Sequence, residues 1–299
     1  MYDLSIIIPS FNTKDITHKC ITLLLKNLTN TSLRYQIIVV DNHSVDGSET
    51  MLKTFQNKDF IVIINSENFG YAKANNIGLK YAKGSAILYL NSDVLIDESL
   101  LFSQILNYLN DHSEIAGLTS KVILKTGQLD MACHRGFPTI WRSFCYFSKL
   151  EYVFKHTPFL NKVFGGYHLW DRLDETIHEI DSPSGAFFLV KKQIVEKIGG
   201  FDQDYFMYGE DLDLSYRIKK LGFKIVYYPL FIVTHLKGKS GIDQNKKNQG
   251  IQIKSKIAFF VSMGIFYKKH FYSLYPRLLS DLILIIITQI TKHYEKDRN

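Results

Sequence analysis

"ILYLNSDVLI", Ile87 to Ile96, is an apolar run broken by Asn91, Ser92 and Asp93 before it turns apolar again. A short run of Ile, Leu and Tyr ended abruptly by turn formers reads as a core strand of a parallel sheet. Asp93 then stands at the strand's carboxyl end, the edge where open α/β sheets bind ligands. The same three residues also make an ordinary strand-ending turn, which on spacing alone is the simpler account.

The preceding residues repeat one pattern. "LSIIIP" (4–9), "YQIIVV" (35–40), "FIVII" (60–64) and "AILYL" (86–90) have strand character. Between them, "DITHKCITLLLKNL" (15–28), "DGSETMLKTF" and "AKANNIGLKYAK" have helical spacing. Asp15 reads as a helix cap, and Asp46 with Glu49 as a capping box. The βαβαβαβ alternation predicts an α/β fold whose mostly parallel, Rossmann-like sheet is flanked by helices. Polar residues stand at three successive strand ends, Pro9 to Asn12, Asp41 to Ser44 and Asn91 to Asp93, and would line one edge. The first turn, "PSFNTKD", lacks the Gly-x-Gly-x-x-Gly of dinucleotide sites, and the chain has no Gly-Lys-Ser/Thr phosphate loop.

Residues 135–178 form an aromatic, basic stretch that reads equally as a lid or acceptor loop and as short amphipathic helices packed on the core. Further on, a helix is predicted from Glu210 to Lys220, stopped by Gly222. Asp213 and Arg217, four apart on it, read as an ordinary surface pair.

The 299 residues are 46% hydrophobic and 22% charged, as in globular proteins. The net charge of +7 is uneven: residues 237–299 carry 12 Lys or Arg against 4 acids, so the remainder is near neutral. A basic tail calls for an anionic partner. Apolar residues interleave with the cations in "KIAFFVSMGIFYKKHF" and "LYPRLLSDLILIIITQI", which favours an anionic membrane surface over nucleic acid. No run reaches the roughly 20 apolar residues of a spanning helix. Residues 249–299 are therefore expected to lie on a membrane. The N-terminus reads directly into a strand without an export signal, and Cys20, Cys133 and Cys145 show no metal or disulfide spacing. Both point to a cytoplasmic protein, peripheral on the inner face of the cell membrane. Oligomeric state is left open.

Taken together, "SIIIPSFN", "IIVVDNHSVDGS", "NFGYAKANNIGL", "LYLNSDV", "SPSGAFFLVKK", "GGFDQDYFMYGEDLDLSYRIKKLGFKIVYYP" and "HLKGKS" resemble, in order and spacing, a family 2 glycosyltransferase of the GT-A fold, nearest its rhamnosyltransferase-like branch of bacterial cell-wall and surface polysaccharide synthesis. The resemblance covers roughly residues 3–240. It implies a GT-A domain over 1–240, with a nucleotide-binding half (1–98) and an acceptor and catalytic half (99–240), followed by a basic amphipathic helical tail (241–299). Members bind a nucleotide-diphospho-sugar with a divalent metal, Mg or Mn. By match to the family's motifs, Pro9, Asp41 and Ser44 would hold base and ribose, and Asn68, Gly70 and Asn75 would lie beside the nucleotide. Asn91, Ser92 and Asp93 occupy the Asp-x-Asp slot, with Asp93 and His235 as metal ligands; Asn91 replaces the first carboxylate with a weaker amide ligand. Lys237 and Lys239 would face the diphosphate. Asp211 matches the catalytic base, supported by Glu210, although acids at a helix N-terminus are also favoured by its dipole. Ser184 and Gly185 match the acceptor side, and Trp170 is a candidate to stack on a sugar.

The resulting expectation is an inverting transfer of a sugar, with rhamnose a candidate, from a dTDP- or UDP-sugar to a saccharide or lipid-linked saccharide. A sugar nucleotidyltransferase would need a Gly-rich basic loop after the first strand, which is absent. A non-catalytic glycan-binding protein would be expected to show damage at Asp93, Asp211 or His235, and all three stand.

Overall fold

The computed structural model describes residues 2–29, 31–96, 102–237 and 249–296, with side chains from 253 onward in the last stretch. Lys239 and residues 241–248 lie outside the described residues. In chain order the elements are β1 (Tyr2–Ser10), α1 (Lys14–Leu28), β2 (Tyr35–Asp41), α2 (Ser48–Lys53), β3 (Phe60–Ile64), α3 (Gly70–Leu79), β4 (Gly84–Leu90), β5 (Val94–Leu95), α4 (Phe102–Asp111) and β6 (Ile115–Leu124). There follow α5 (Ile140–Phe147), α6 (Leu150–Phe154), α7 (Leu160–Phe164), β7 (His178–Ile180), β8 (Phe187–Lys191), α8 (Lys192–Lys197), α9 (Glu210–Lys220), β9 (Lys224–His235), α10 (Gln249–Phe266) and α11 (Arg277–Lys296).

One sheet holds all nine strands in the order β3-β2-β1-β4-β8-β6-β9-β5, with β7 also on β9. The parallel block expected from the alternation is β3-β2-β1-β4. Ile6, Ile7 and Ile8 are all fully buried, because a central parallel strand has helices on both faces. Beyond β4 the sheet is mixed: β8 is antiparallel to β4 and β6, β9 is parallel to β6, and β5 and β7 are antiparallel to β9.

Three local readings change in the folded chain. Asp46 is not the N-cap of its own helix, where Gly47 stands: its Oδ1 accepts from the Ser48 N–H at 3.0 Å and its Oδ2 from the Lys14 N–H at 2.8 Å, so one carboxylate meets otherwise orphaned donors at the starts of both α2 and α1. Thr13, not Asp15, holds the cap position there. Asp213 and Arg217 do pair, at 2.6 Å, but Asp213 is buried and also meets His270 Nε2 at 2.6 Å, so this is an interior hub.

That hub ties the C-terminal helices to α9. Tyr205, Leu212, Phe266, Tyr267 and Phe271 form a second apolar cluster, and Lys269 reaches Asp202 and Asp204. Among the described residues, no helix is long and apolar enough to cross a membrane.

Candidate functional site

Sheet register assembles the first half of the site. β5 pairs with β9 so that Val94 faces His235, which brings the preceding Asp93 to the imidazole; Asp93 Oδ1 lies 3.2 Å from His235 Nε2. β6 runs parallel to β9 with Leu124 opposite His235, and a tight turn after Leu124 returns Asp130 to the same ring, 2.9 Å from Nδ1. Lys237 Nζ meets the other Asp130 oxygen at 2.9 Å. Burial opposes charge on the ring, but hydrogen bonds to Asp130 and Asp93 outweigh it and raise His235 to about 9. Burial likewise works against ionised Asp130, and the His235 hydrogen bond with the Lys237 charge holds it well below the usual carboxylate range.

The second half sits at the start of α9. Tyr208 and Gly209 both have positive φ, 69° and 77°, and this turn aims the first helical residues into the cleft. The Asp211 carboxylate takes hydrogen bonds from Arg135 Nη2 at 2.7 Å, Leu212 N at 2.7 Å and Gly185 N at 3.3 Å. The Arg135 side chain is 11% exposed, and the same Nη2 also donates to the Pro183 carbonyl at 2.7 Å. Its position follows from a bridge between Arg135 and Ser182, two segments remote in sequence.

Glu210 is buried beside Asp211, and its Oε2 has no hydrogen-bond partner among the described residues. Burial first, then the neighbouring Asp211 charge, raise it to about 8. A carboxyl raised in the folded state binds its proton more tightly there than in the unfolded chain, so stability falls as pH rises from about 4.5 towards 8. Glu210→Gln removes this slope. In urea titrations it should match wild type near pH 4.5 and exceed it at pH 8 by roughly 2–4 kcal/mol, the proton linkage of a buried carboxyl raised from 4.5 to about 8. Equal pH slopes in the two proteins would show that Glu210 is not held protonated.

A single cavity of about 490 Å³ joins the two halves. At one end it is lined by Pro9, Asn68 and Gly70, in its middle by Asn91, Ser92, Asp93 and His235, and opposite them by Ser184, Gly185, Glu210 and Asp211. Gly70 has φ +80°, and a Cβ there would stand 2.4 Å from the Phe206 carbonyl, so only glycine lets the loop before α9 close over this end. Four expected positions do not border the cavity. The Asp41 carboxylate is taken up by Ser10 Oγ, Ser44 Oγ and Ser44 N, and Ser44 is held within that turn. Asn75 donates to the Tyr71 carbonyl along α3. Trp170 packs against Tyr152 and His168.

Other residues enter the cavity unannounced. Asn42, next to Asp41, borders it and donates to the Gly70 carbonyl at 3.2 Å. Arg135 and Asp130 border its polar part, beside the expected Lys237. Its far end is apolar, walled by Tyr146 and Phe147 of α5 and by Phe259, Met263 and Phe266 of α10. The basic tail is thus also a wall of the cleft. An isolated Arg in "CHRGFP" and an isolated Asp in "QLDMA" were the only sequence signals for Arg135 and Asp130.

The donor set fits a hard divalent cation. It offers the Asp93 carboxylate, the His235 Nε2 with its other nitrogen anchored on Asp130, and the buried Asn91 Oδ1, which has no hydrogen-bond partner among the described residues. Among the described residues no three His, Cys, Asp or Glu side chains gather as a metal cluster, so remaining ligands would come from a bound diphosphate.

The family model described as "Glycosyl transferase family 2" matches residues 5–168. The poly-beta-1,6-N-acetyl-D-glucosamine synthase of Staphylococcus aureus (strain COL) is 26% identical over 203 residues, 67% of this chain and 43% of that protein. The minor teichoic acid biosynthesis protein GgaB of Bacillus subtilis (strain 168) is 33% identical over 116 residues, 37% of this chain and 12% of that one. The chain therefore spans less than half the length of these relatives. Among solved structures, a mannosyltransferase from Pyrobaculum calidifontis in complex with GDP-Man and Mn²⁺ superposes with a TM-score of 0.58 at 13% identity, over 89% of this chain and 64% of that one. This likeness establishes the GT-A fold.

Proposed function

The chain belongs to glycosyl transferase family 2, and from that premise we propose an inverting transfer of a sugar from a dTDP- or UDP-linked donor to a hydroxyl of a lipid-linked saccharide, in bacterial cell-wall or surface polysaccharide synthesis. Rhamnose is the sugar favoured by the motif resemblance. The observation that carries the reading is one cavity with Asp93 and His235 on one wall and Asp211 on the other.

Asp211 takes the proton of the acceptor hydroxyl as its oxygen bonds to the anomeric carbon, while the bond from that carbon to the donor phosphate breaks on the opposite side. Arg135 and the Gly185 N–H keep the carboxylate in one orientation. Asp93, His235 and Asn91 would hold Mg²⁺ or Mn²⁺, whose contribution is to neutralise charge on the leaving diphosphate. Lys237 adds a positive charge at the same end of the cavity. The apolar far end accommodates the lipid-proximal part of the acceptor, and the basic residues of 249–299 favour an anionic membrane surface beside it. Such a transferase works peripherally at the cytoplasmic face of the membrane.

Calorimetric titration of dTDP, UDP and GDP with and without Mn²⁺ tests this. One nucleotide is expected to bind about tenfold or more tightly with Mn²⁺, an increment lost in Asp93→Ala. Absence of nucleotide binding under every condition would return the protein to the glycan-binding class.

A further inference from the structure

We propose that the three short helices α5, α6 and α7, residues 140–164, form a surface that inserts into an anionic bilayer and sets the apolar end of the cleft against it. The proposal shares the lipid-linked acceptor of the functional reading as its purpose, but its test does not depend on transfer.

The module turns large apolar side chains outward. Trp141 is 48% exposed, Phe144 54%, Val153 67% and Phe159 76%. Isolated exposed apolar residues are commonplace, whereas several within 25 residues make a patch of the kind that marks an interaction surface. Charge narrows the partner. Lys149 and Lys162 are exposed, Lys155 is half-buried over the Trp170 ring, and Arg142 is paired with Asp181. The module's one acid, Glu151, is fully buried against His168 at 2.7 Å. Its exposed side chains are therefore aromatic, aliphatic, neutral polar or cationic, the composition of an interfacial anchor for anionic lipid. A second copy of the same face would oppose lysine to lysine across a two-fold axis.

Placement supplies the second argument. Ser143, Tyr146 and Phe147 of α5 line the cleft, while Trp141 and Phe144 of the same helix face solvent. The ring contacts continue from Phe147 to Phe260 of α10 at 6.1 Å and from Phe260 to Tyr294 of α11 at 5.8 Å. The elements that wall the acceptor end of the cleft thus also carry the outward apolar surface. An acceptor held in a bilayer would reach the cleft without leaving it.

The chain has two tryptophans, which makes the test direct. The full chain is mixed with vesicles of phosphatidylcholine, alone or with phosphatidylglycerol, and its emission is followed with brominated acyl chains as quencher. The expected result is a blue shift and quenching with the anionic vesicles, reduced by salt and absent in Trp141→Phe. Phe159→Ser with Val153→Ser should weaken vesicle partitioning by about tenfold or more, from the apolar area withdrawn, while nucleotide titrations stay at wild-type values. Leu278→Ser with Leu282→Ser, on the exposed face of α11, separates the tail's contribution. Unquenched Trp141 in a chain that still sediments with vesicles, or no sedimentation at all, would overturn the proposal. Vesicle insertion without nucleotide binding would sink the transferase reading and leave this one standing.

Discussion

Asp211→Asn should lower kcat by about 10³-fold while leaving the nucleotide Kd within a factor of two or so of wild type. The substitution preserves shape, and its one remaining oxygen can still accept from Arg135 Nη2 and the Gly185 N–H, while the amide nitrogen replaces the oxygen that accepts from Leu212 N. What it removes is the group able to take a proton in the transition state, which is felt in turnover and not in ground-state binding. The end of the cavity proposed to take the nucleotide, at Pro9, Asn68 and Gly70, is formed by other elements and should be untouched. Single-turnover transfer assays beside calorimetry separate the two effects. Full turnover in the variant would remove Asp211 from its role, and a joint loss of turnover and nucleotide binding would point to a collapsed cleft.

Arg135→Met is expected to cost about 3 kcal/mol of folding stability in urea denaturation, together with most of the activity. The Arg135–Asp211 contact is 2.7 Å, with both side chains about nine-tenths buried. Removing one member leaves the other charge buried without its counter-ion. The double variant Arg135→Met with Asp211→Asn should therefore recover much of the stability and none of the turnover. Arg135→Lys should restore part of both, since both contacts come from one guanidinium nitrogen, Nη2, whose place the shorter lysine's ammonium takes only in part. Additive losses in the double variant would mean that the pair is not energetically coupled.

The strands of the parallel block were legible because they are short apolar runs punctuated by turn formers, and α9 because Glu210 and Gly222 mark its ends. Asp93, Asp211 and His235 were legible as members of spaced motifs. Arg135 and Asp130 were not, because what makes them part of the site is register: a bridge to Ser182 for one, a tight return after Leu124 for the other. Asp213 looked like a surface residue because its second partner, His270, lies 57 positions away. Hydrophobicity alone could not tell which way an amphipathic segment faces. Phe259 and Met263 turn towards the cleft, and Phe144 and Phe159 turn outward, from stretches of similar composition.

The pairing of β9 also orders events in time. During synthesis Asp93 leaves the ribosome on the order of ten seconds before His235. The parallel block β3-β2-β1-β4 can form early from local crossovers, yet β6 has no partner on its outer edge until residues 224–235 emerge. For that interval the nascent chain carries an open, apolar strand edge, the kind of surface that pairs with strangers or recruits a chaperone. The site and the protection of that edge are completed by the same strand, so a chain interrupted before residue 235 would be prone to aggregate as well as inactive.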